Sequence, residues 1–317
     1  MLSLDLKDKK ILYELDSNSR QSISQIAKKI RLNKNTVNYK IKQMEKEKII
    51  SGYYTMVDIT KLGYFMVRVY LKFFNTTKEK EKEIIDWAKR NEMIGVVAKS
   101  ETIYDLVLMV WAKNIYEFDE FLFEFKKKFR PYLWQEKMHI FSKVWHFKRK
   151  YILQKDKPAE YEFVGSNKPE KFDETDFSIL KILSKNARMP IIEISQKLNI
   201  PERTIAFRIR QLEKKKIIQG YRVNLNLNKI GYEYYKANLI LSDFSKYNEL
   251  FTFASNHPNV IYIDRTSSEL DFEVDIEIEN KQLLLNLINE IKSKFNVRES
   301  EICSFQEYYK IESLPEN

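Results

Sequence analysis

An internal duplication constrains the fold more than any other feature of this sequence. The segment from Leu4 to Tyr64 recurs without a gap as the segment from Phe172 to Tyr232. Both copies contain three short helical patterns followed by the same Ile-Ile-x-Gly-Tyr run, and a repeat of this kind predicts two equivalent units in one chain. With 317 residues, the chain has room for two to four domains with their own cores.

Composition narrows the class of protein. A hydrophobic content of 44% argues against disorder, a single cysteine excludes an internal disulfide, and three histidines without Cys/His clustering give no reason to expect a metal or a cofactor. Apolar runs stay well below the roughly 18 residues that a membrane span needs, and the first ten residues lack an apolar signal region. We therefore expect a soluble, cytoplasmic protein without membrane association.

Charge is distributed unevenly along the chain. Residues 1–153 contain 31 Lys and Arg against 19 Asp and Glu, whereas residues 154–317 contain 24 against 26. Both duplicated helical segments are basic, and the difference lies in the segments after them: residues 55–153 carry +6 (19 against 13) and residues 223–317 carry −7 (9 against 16). Basic helical units favour polyanionic partners through electrostatic steering and counterion release.

The first duplicated segment predicts three helices. Asp5 is a suitable N-cap for a helix that ends near Asn18, and Ser22 is a suitable N-cap for a second helix that leads into a short turn. The third helix is predicted to begin at Lys34. Three helices in this order, followed by a strand pattern, predict a winged helix-turn-helix. Apolar residues at i, i+4 and i+7 place one face of the third helix in a core: Val37, Ile41 and Met44.

The opposite face of the third helix has the side chains that a major-groove helix needs. Amides pair with adenine edges, lysines with guanine or phosphate, and an aromatic ring can lie against a thymine methyl. An ordinary lysine-rich solvated surface is the alternative, but repetition in both copies favours double-stranded DNA as the partner. The candidate DNA-binding residues are Lys34, Asn35, Thr36, Asn38, Tyr39, Lys42 and Lys46 in the first repeat, and Arg203, Thr204, Phe207, Arg210 and Lys214 in the second.

The two recognition helices differ in chemistry. Arg203 stands where the first repeat has Asn35, and Glu202 stands where it has Lys34. A guanidinium prefers guanine, an amide prefers adenine, and a carboxylate accepts from cytosine or repels phosphate. The sequence therefore predicts an asymmetric binding site.

Each helical segment is followed by alternating patterns in the order βαββαβ, which predicts an antiparallel sheet with two helices on one face. The predicted fold class is α+β, with two winged helix-turn-helix domains and two ferredoxin-like (βαββαβ) domains in tandem. The predicted domains are residues 1–58 (winged helix-turn-helix), 62–153 (ferredoxin-like), 154–171 (linker), 172–226 (winged helix-turn-helix) and 230–314 (ferredoxin-like).

Both copies contain a further set of matching residues: Asn33 to Val37, Lys40, Ile41, Met44, Glu45, Ile49, Ile50, Gly52, Tyr53, Leu62 and Gly63 in the first, and Ile200, Pro201, Arg203 to Ile205, Arg208, Ile209, Leu212, Glu213, Ile217, Ile218, Gly220 and Tyr221 in the second. Through these residues the whole chain resembles the Lrp/AsnC family of transcriptional regulators, twice over. The resemblance implies DNA binding by the helical domains, and dimerisation and effector sensing by the ferredoxin-like domains. A fused double unit departs from the family's usual single unit, as does a lysine at positions 48 and 216, where the family has glycine.

The resemblance also implies a small-molecule effector, commonly an amino acid, bound by a loop of each ferredoxin-like domain. The family's loop glycine is absent from both loops here, which argues against the usual mode of sensing. A cap on a strand turn is the alternative role for the two aspartates. The candidate effector residues are Thr102 and Asp105 in the first loop and Ser268 and Asp271 in the second.

The opposite charges of the two ferredoxin-like domains predict that they pair with each other within one chain, because opposite charges favour this pairing over that of identical domains. Such a chain would be a covalent pseudo-dimer. Larger homo-oligomers, which are common in the family, remain compatible with the sequence.

An enzyme is the principal alternative, because siroheme decarboxylases also resemble paired Lrp-type proteins. A tetrapyrrole site would need basic and histidine side chains. His139 and His146 lie seven residues apart on one predicted strand, so alternation places them on opposite faces, and His257 is predicted to lie in a loop. A nucleic-acid-binding architectural protein without sequence preference is a third possibility.

Overall fold

The computed structural model describes residues 4–101, 103–153, 161–166 and 168–315. It confirms the α+β fold class, with two winged helix-turn-helix units and two ferredoxin-like units in one chain. Thr102 and residues 154–160 and 167 of the predicted linker lie outside the described residues.

The first helix-turn-helix forms as its sequence predicts. The Asp5 side chain accepts a hydrogen bond from the Asp8 backbone N–H and closes a capping box, and Ser22 does the same with Gln25. The third helix begins at Lys34 and buries the predicted apolar stripe. The elements are α1 (Leu6–Ser17), α2 (Ile23–Ile30), α3 (Lys34–Lys46) and the wing strand β1 (Ile50–Val57).

A four-stranded sheet comes next, with two helices on its outer face. Its strands lie in the order β5, β2, β4, β3 and are antiparallel throughout, which is the ferredoxin-like arrangement. The elements are β2 (Phe65–Phe73), α4 (Lys78–Arg90), β3 (Ile94–Ser100), β4 (Leu106–Ala112), α5 (Ile115–Phe129) and β5 (Leu133–Phe147).

The segment between the repeats is not only a linker. Its residues 161–164 form a short strand that pairs with the end of β5, because the backbone there meets an unpaired strand edge. The second helix-turn-helix then repeats the first. The elements are β6 (Tyr161–Val164), α6 (Glu174–Lys185), α7 (Ile191–Leu198), α8 (Glu202–Lys214) and β7 (Ile218–Leu225).

The second ferredoxin-like unit has the same strand order, β11, β8, β10, β9. The sequence pattern predicts its last strand near Ser300 to Tyr309 and β5 near Met138 to Phe147, but both strands are longer and contain 15 residues. The elements are α9 (Leu227–Ile230), β8 (Glu233–Leu241), α10 (Tyr247–Asn256), β9 (Val260–Ser267), β10 (Phe272–Ile278), α11 (Lys281–Phe295) and β11 (Val297–Ile311).

The extra length of β5 and β11 joins the two sheets. The second half of β5 pairs with β9, and the second half of β11 pairs with β3. Because β5 also pairs with β2, and β11 with β8, the eight strands close into one antiparallel ring with the helices outside. Closure encloses an interior between the two sheets.

Each helix-turn-helix packs against the other repeat. The core of the first unit includes Val223, Leu225 and Ile261 from the second repeat, and the core of the second includes Val57 and Trp111 from the first. These side chains are all buried. The two repeats therefore share their hydrophobic cores, and neither repeat buries its apolar residues alone.

The wing strands β1 and β7 pair with each other and form a two-stranded ribbon. Equivalent residues of the two repeats, 168 positions apart, make equivalent hydrogen bonds around this ribbon. Ser19 N–H donates to Tyr221 O (2.9 Å), and Ala187 N–H donates to Tyr53 O (3.0 Å). The Arg20 guanidinium likewise donates to the Met189 carbonyl (3.1 Å), and Arg188 reaches back to the first repeat. The ribbon thus fixes the two helix-turn-helix units about an approximate two-fold axis.

Candidate nucleic-acid interface and interior cavity

The candidate residues of α3 form one outward surface. Asn33 caps this helix by accepting from the Asn35 N–H (2.8 Å), while the apolar stripe on the opposite face is buried. Tyr39 is 67% exposed, although a tyrosine of a solvated helix normally finds apolar cover. The structure exposes Lys34, Asn35, Tyr39, Lys42 and Lys46 and leaves Thr36 and Asn38 half-buried.

The candidate residues of α8 form the equivalent surface in the second repeat. Pro201 precedes this helix, and Glu202 lies in its first turn. The Phe207 ring is 53% exposed, close to the value for Tyr39 at the equivalent position. Arg203, Thr204, Phe207, Arg210 and Lys214 are all exposed.

Basic residues of the recognition helices fall into two groups. Lys40 pairs with Asp5 and Asp8 (2.9 Å each), and Arg208 pairs with Asp173 and Asp176 in the same way, so these two cations hold the third helix to the first. Among the described residues, no ion pair occupies the candidate lysines and arginines at the outward surfaces. Those cations are available to an external anion.

Each wing is fastened to its recognition helix by a tyrosine. The Tyr53 hydroxyl donates to Glu45 and the Tyr221 hydroxyl donates to Glu213, both at 2.6 Å. Since Tyr53 and Tyr221 lie on the paired wing strands, the orientation of both recognition helices depends on the ribbon.

Beneath the ribbon lies an ionic network that sequence reasoning missed. The Asp16 carboxylate accepts from the Arg149 guanidinium (2.7 Å) and from the Arg222 guanidinium (2.9 Å), and Arg149 also binds Glu277 (2.8 Å). All four side chains are almost fully buried. Burial alone would raise the pKa of Asp16, but Arg222 and Arg149 outweigh it and lower that pKa below its ordinary value. An arginine inside the wing strand, within the Tyr-Arg-Val run, was the available signal.

The two candidate effector aspartates bind the ends of neighbouring strands. Asp105 accepts from the Phe73 N–H (2.7 Å) and contacts Lys72 (3.1 Å), and Asp271 accepts from the Leu241 N–H (2.7 Å). These bonds tie each loop to the end of the neighbouring strand. The Ser268 hydroxyl accepts from the Leu270 N–H (3.1 Å), and Thr102 is not described. The prediction that these four residues bind an effector remains a prediction.

The prediction that His139 and His146 lie on opposite faces of their strand is wrong. A bulge between Phe141 and Lys143 breaks the alternation, so that Phe141 and Val144 line the same cavity. His139 Nδ1 lies 3.3 Å from Glu273, and His146 Nδ1 lies 2.6 Å from the Met56 sulfur.

The three histidines are not arranged as a metal site, and two of them, His139 and His146, are buried. Burial, with Arg222 and Arg149 nearby, holds the pKa of His146 well below its ordinary value. His257 follows α10 in a loop, as predicted, and burial lowers its pKa too. Within the described ranges no cluster of three His, Cys, Asp or Glu could hold a metal ion, and no helix is long and apolar enough to cross a membrane.

The ring encloses a cavity of about 350 Å³. Its polar part is a charge cluster in which Arg68 binds Glu273 (2.9 Å) and Asp264 (3.0 Å). Lys236 lies 2.8 Å from Asp264, 3.0 Å from Glu273 and 3.4 Å from Asp275. We call these five residues the interior charge cluster. It joins the two sheets, because Arg68 comes from the first and the three acids come from the second.

One acid of this cluster has an unusual pKa. Burial raises the pKa of Asp275 to about 6 against the opposing effect of Lys236. Because its folded-state pKa exceeds its unfolded value, Asp275 favours the folded state at low pH, and this contribution is lost as the pH rises through about 6. We expect Asp275→Asn to gain about 1–3 kcal/mol of unfolding free energy at about pH 8 relative to the wild type, with little change at about pH 4.

Urea unfolding at the two pH values measures this difference. The variant is isosteric, and Lys236 keeps two other carboxylates within 3.0 Å, so packing and the remaining ion pairs are preserved. If Asp275→Asn instead lowered the unfolding free energy at the higher pH, the ionised Asp275 carboxylate would not be destabilising.

Comparison with known proteins supports this picture. A family model for winged helix-turn-helix DNA-binding domains matches residues 4–51 and 172–219. An uncharacterized HTH-type transcriptional regulator of Pyrococcus abyssi is 31% identical over 110 residues, which cover 35% of this chain and 75% of that protein. This chain belongs to the Lrp/AsnC family. It is a tandem-duplicated member, since the helix-turn-helix model matches twice.

Two further proteins resemble this chain, one over a shorter stretch of sequence and the other in fold alone. The HTH-type transcriptional regulator LrpA of Pyrococcus horikoshii is 50% identical over 60 residues, which cover 19% of this chain and only 43% of LrpA. The siroheme decarboxylase NirDL superimposes with a TM-score of 0.67 at 12% identity and covers 96% of this chain and 92% of its own. A likeness at that identity shows a shared fold.

Proposed function

We propose that this protein is a DNA-binding transcriptional regulator that works as a single-chain pseudo-dimer and recognises an asymmetric site. The observation that carries the proposal is the pair of outward helix surfaces on α3 and α8, whose cations have no intramolecular acid among the described residues. The relatives named as HTH-type transcriptional regulators support the same function.

The pseudo-dimer rests on the interlocked repeats. The ring shares strand pairs between the two sheets, the helix-turn-helix units share cores, and Arg68 and Arg149 of the first repeat are neutralised by acids of the second. Covalent linkage raises the effective concentration of the second recognition helix once the first has bound. A single chain would therefore supply both half-site contacts.

DNA binding is tested by fluorescence anisotropy with the full chain, an enriched duplex and a scrambled duplex at near-physiological salt. A regulator of this kind should prefer its specific duplex by about 10³-fold or more. Equal affinity for both duplexes, with a steep salt dependence, would instead identify a non-specific architectural protein.

Lys48 and Lys216 give a second test of the interface. Both follow a recognition helix, are exposed and adopt left-handed backbone conformations, with φ of 58° and 57°. A left-handed conformation costs a residue with a Cβ about 1 kcal/mol, which glycine avoids. We propose that the lysines are kept for phosphate contact.

Lys48→Gly should raise the unfolding free energy by about 0.5–1 kcal/mol and weaken binding to all DNA sequences, with the salt slope reduced by about 1. Lys48→Ala is the matched control, because it removes the charge but keeps the Cβ. It should weaken DNA binding equally without the gain in stability. Unchanged DNA affinity in both variants would leave Lys48 without a role at the interface.

We also infer that the chain is not a tetrapyrrole decarboxylase. Three carboxylates of the interior charge cluster surround two cations, which is unfavourable for a ligand with several carboxylates. Titration with siroheme should leave the absorbance spectrum of the ligand unchanged. A saturable spectral shift at a one-to-one ratio would contradict this inference.

A further inference from the structure

The interior cavity has the size and position of a ligand site. Its volume of about 350 Å³ lies within the range of small-molecule sites, about 300–1,000 Å³. Strands of both repeats line it, including the wing strand β1 through Tyr54 and Met56. A molecule in this cavity would contact both sheets and the ribbon between the helix-turn-helix units.

Aromatic side chains line the cavity together with aliphatic ones. Trp111, Phe141, Tyr234, Tyr262 and Tyr308 all line it, contributed by strands β4, β5, β8, β9 and β11. The faces of aromatic rings carry partial negative charge and attract cations, most strongly where water is excluded. Arg68 already uses this property, since its guanidinium carbon lies 4.6 Å from the centre of the Phe141 ring.

The charge of the cavity is also favourable to a cation. Asp264 and Asp275 line the cavity, and so do Arg68 and Lys236, whose cations are already in ion pairs with these acids and with Glu273. The five residues of the interior charge cluster include one carboxylate more than cations, and His139 Nδ1 lies 3.3 Å from Glu273. Asp275 is the most weakly compensated acid, because Lys236 lies 3.4 Å from it and only 2.8–3.0 Å from the other two.

The carboxylates are confined to one side of the cavity. Asp275 pairs with Lys236 across strands β10 and β8, and the equivalent pair in the first repeat is Met109 with Arg68. Both Met109 and Asp275 line the cavity. The two repeats therefore build one polar wall and one apolar wall, which suits a single ligand with a charged end and an apolar body.

We propose that this cavity binds a small organic cation, an ammonium or alkylated ammonium group on an aromatic or apolar body, with Asp275 as its counter-ion. The aromatic and aliphatic side chains of the wall surround the body of the ligand, and its cationic head pairs with the Asp275 carboxylate. Anions of the same shape are excluded, because no cation of the cluster is left unpaired.

Isothermal titration calorimetry of the full chain tests the class of ligand with four probes. Tryptamine and benzyltrimethylammonium are the cations, and indole-3-propionate and 3-phenylpropionate are anions of similar size. We expect at least one cation to bind at a one-to-one ratio, at least tenfold more tightly than either anion. Failure of both cations to bind, or equal or tighter binding of an anion, overturns the proposal.

Three variants locate the site. Asp275→Asn should weaken binding of the cation at least tenfold, and Ala98→Leu should weaken it by filling the cavity wall. Glu290→Gln removes the same charge from the outer surface of α11 and should bind as the wild type does. Circular dichroism and urea unfolding establish that each variant is folded. A folded Asp275→Asn protein with wild-type affinity overturns the assignment, whatever the DNA-binding properties of the chain.

Discussion

Asp16→Ala is expected to lower the free energy of unfolding by about 3–5 kcal/mol, the cost of removing one partner from a buried ionic network. The carboxylate accepts hydrogen bonds from the Arg149 backbone (2.8 Å) and from the guanidinium groups of Arg149 and Arg222. Its loss leaves two guanidinium groups in the interior with fewer acids, where water cannot solvate them. Urea unfolding of the full chain measures the loss.

Ser184→Ala provides the matched control. Ser184 lies 168 residues after Asp16, at the equivalent place in α6, where its hydroxyl makes only a local bond to the Lys181 carbonyl (3.0 Å). We expect this substitution to cost less than about 1 kcal/mol. If both substitutions had similar small effects, Asp16 would not hold the repeats together.

Asp16→Ala should also weaken DNA binding. Arg222 lies in the wing strand β7, and Arg149 follows β5, so the network connects the ribbon to the ring. Weaker connection of the ribbon should reduce affinity for a two-part site more than affinity for either half alone, because the spacing of the two recognition helices is less well fixed.

Arg203→Ala is expected to weaken specific DNA binding by about 1–3 kcal/mol, which is about 5- to 150-fold. Arg203 is exposed at the start of α8, where residues of a recognition helix contact base edges. Sequence preference should relax in one half of the binding site only. Competition binding against single-base variants of the site measures both effects.

Asn35→Ala tests the other half. Asn35 is equivalent to Arg203 on α3, and its loss should relax preference in the opposite half of the site. Lys127→Ala is the control for charge, because this exposed lysine lies on α5, outside both recognition helices. If Arg203→Ala and Asn35→Ala relaxed the same base positions, the two helices would not read separate half-sites.

Much of this architecture was predictable because local signals decide it. The caps Asp5 and Ser22, the start of α3 at Lys34 and its buried face are confirmed, since each depends on residues within one helix. The outward surfaces of α3 and α8 result from the same periodicity. Their role at DNA bases remains a prediction.

The interior could not be predicted from strand patterns. In β10 the run Phe-Glu-Val-Asp-Ile-Glu-Ile alternates as if its acids faced water, yet Glu273, Asp275 and Glu277 are all buried. The reason is that the rest of the chain, including the first sheet, covers the polar face of the second sheet, to which β10 belongs. Alternation identifies the two faces of a strand but cannot show that another part of the chain covers the second face.

The sequence patterns also did not predict where strands β5 and β11 end or which strands of the other repeat they contact. The added length of β5 and β11 and the pairing of β6 depend on edges supplied by distant strands. The bulge after Phe141 lies where β5 pairs with the distant strand β9. It places His146 on the opposite face of the strand from the one that alternation predicts. The opposite charges of the two ferredoxin-like units gave the only sequence signal of their contact.

Selection of bound duplexes from a random pool, with the full chain at near-physiological salt, tests the central claim most directly. Two different recognition helices fixed on one ribbon should enrich a site with two unlike halves, and Arg203→Ala and Asn35→Ala should each degrade one half. Enrichment of a perfect palindrome, retained by both variants, would contradict the account of this chain as a built-in heterodimer.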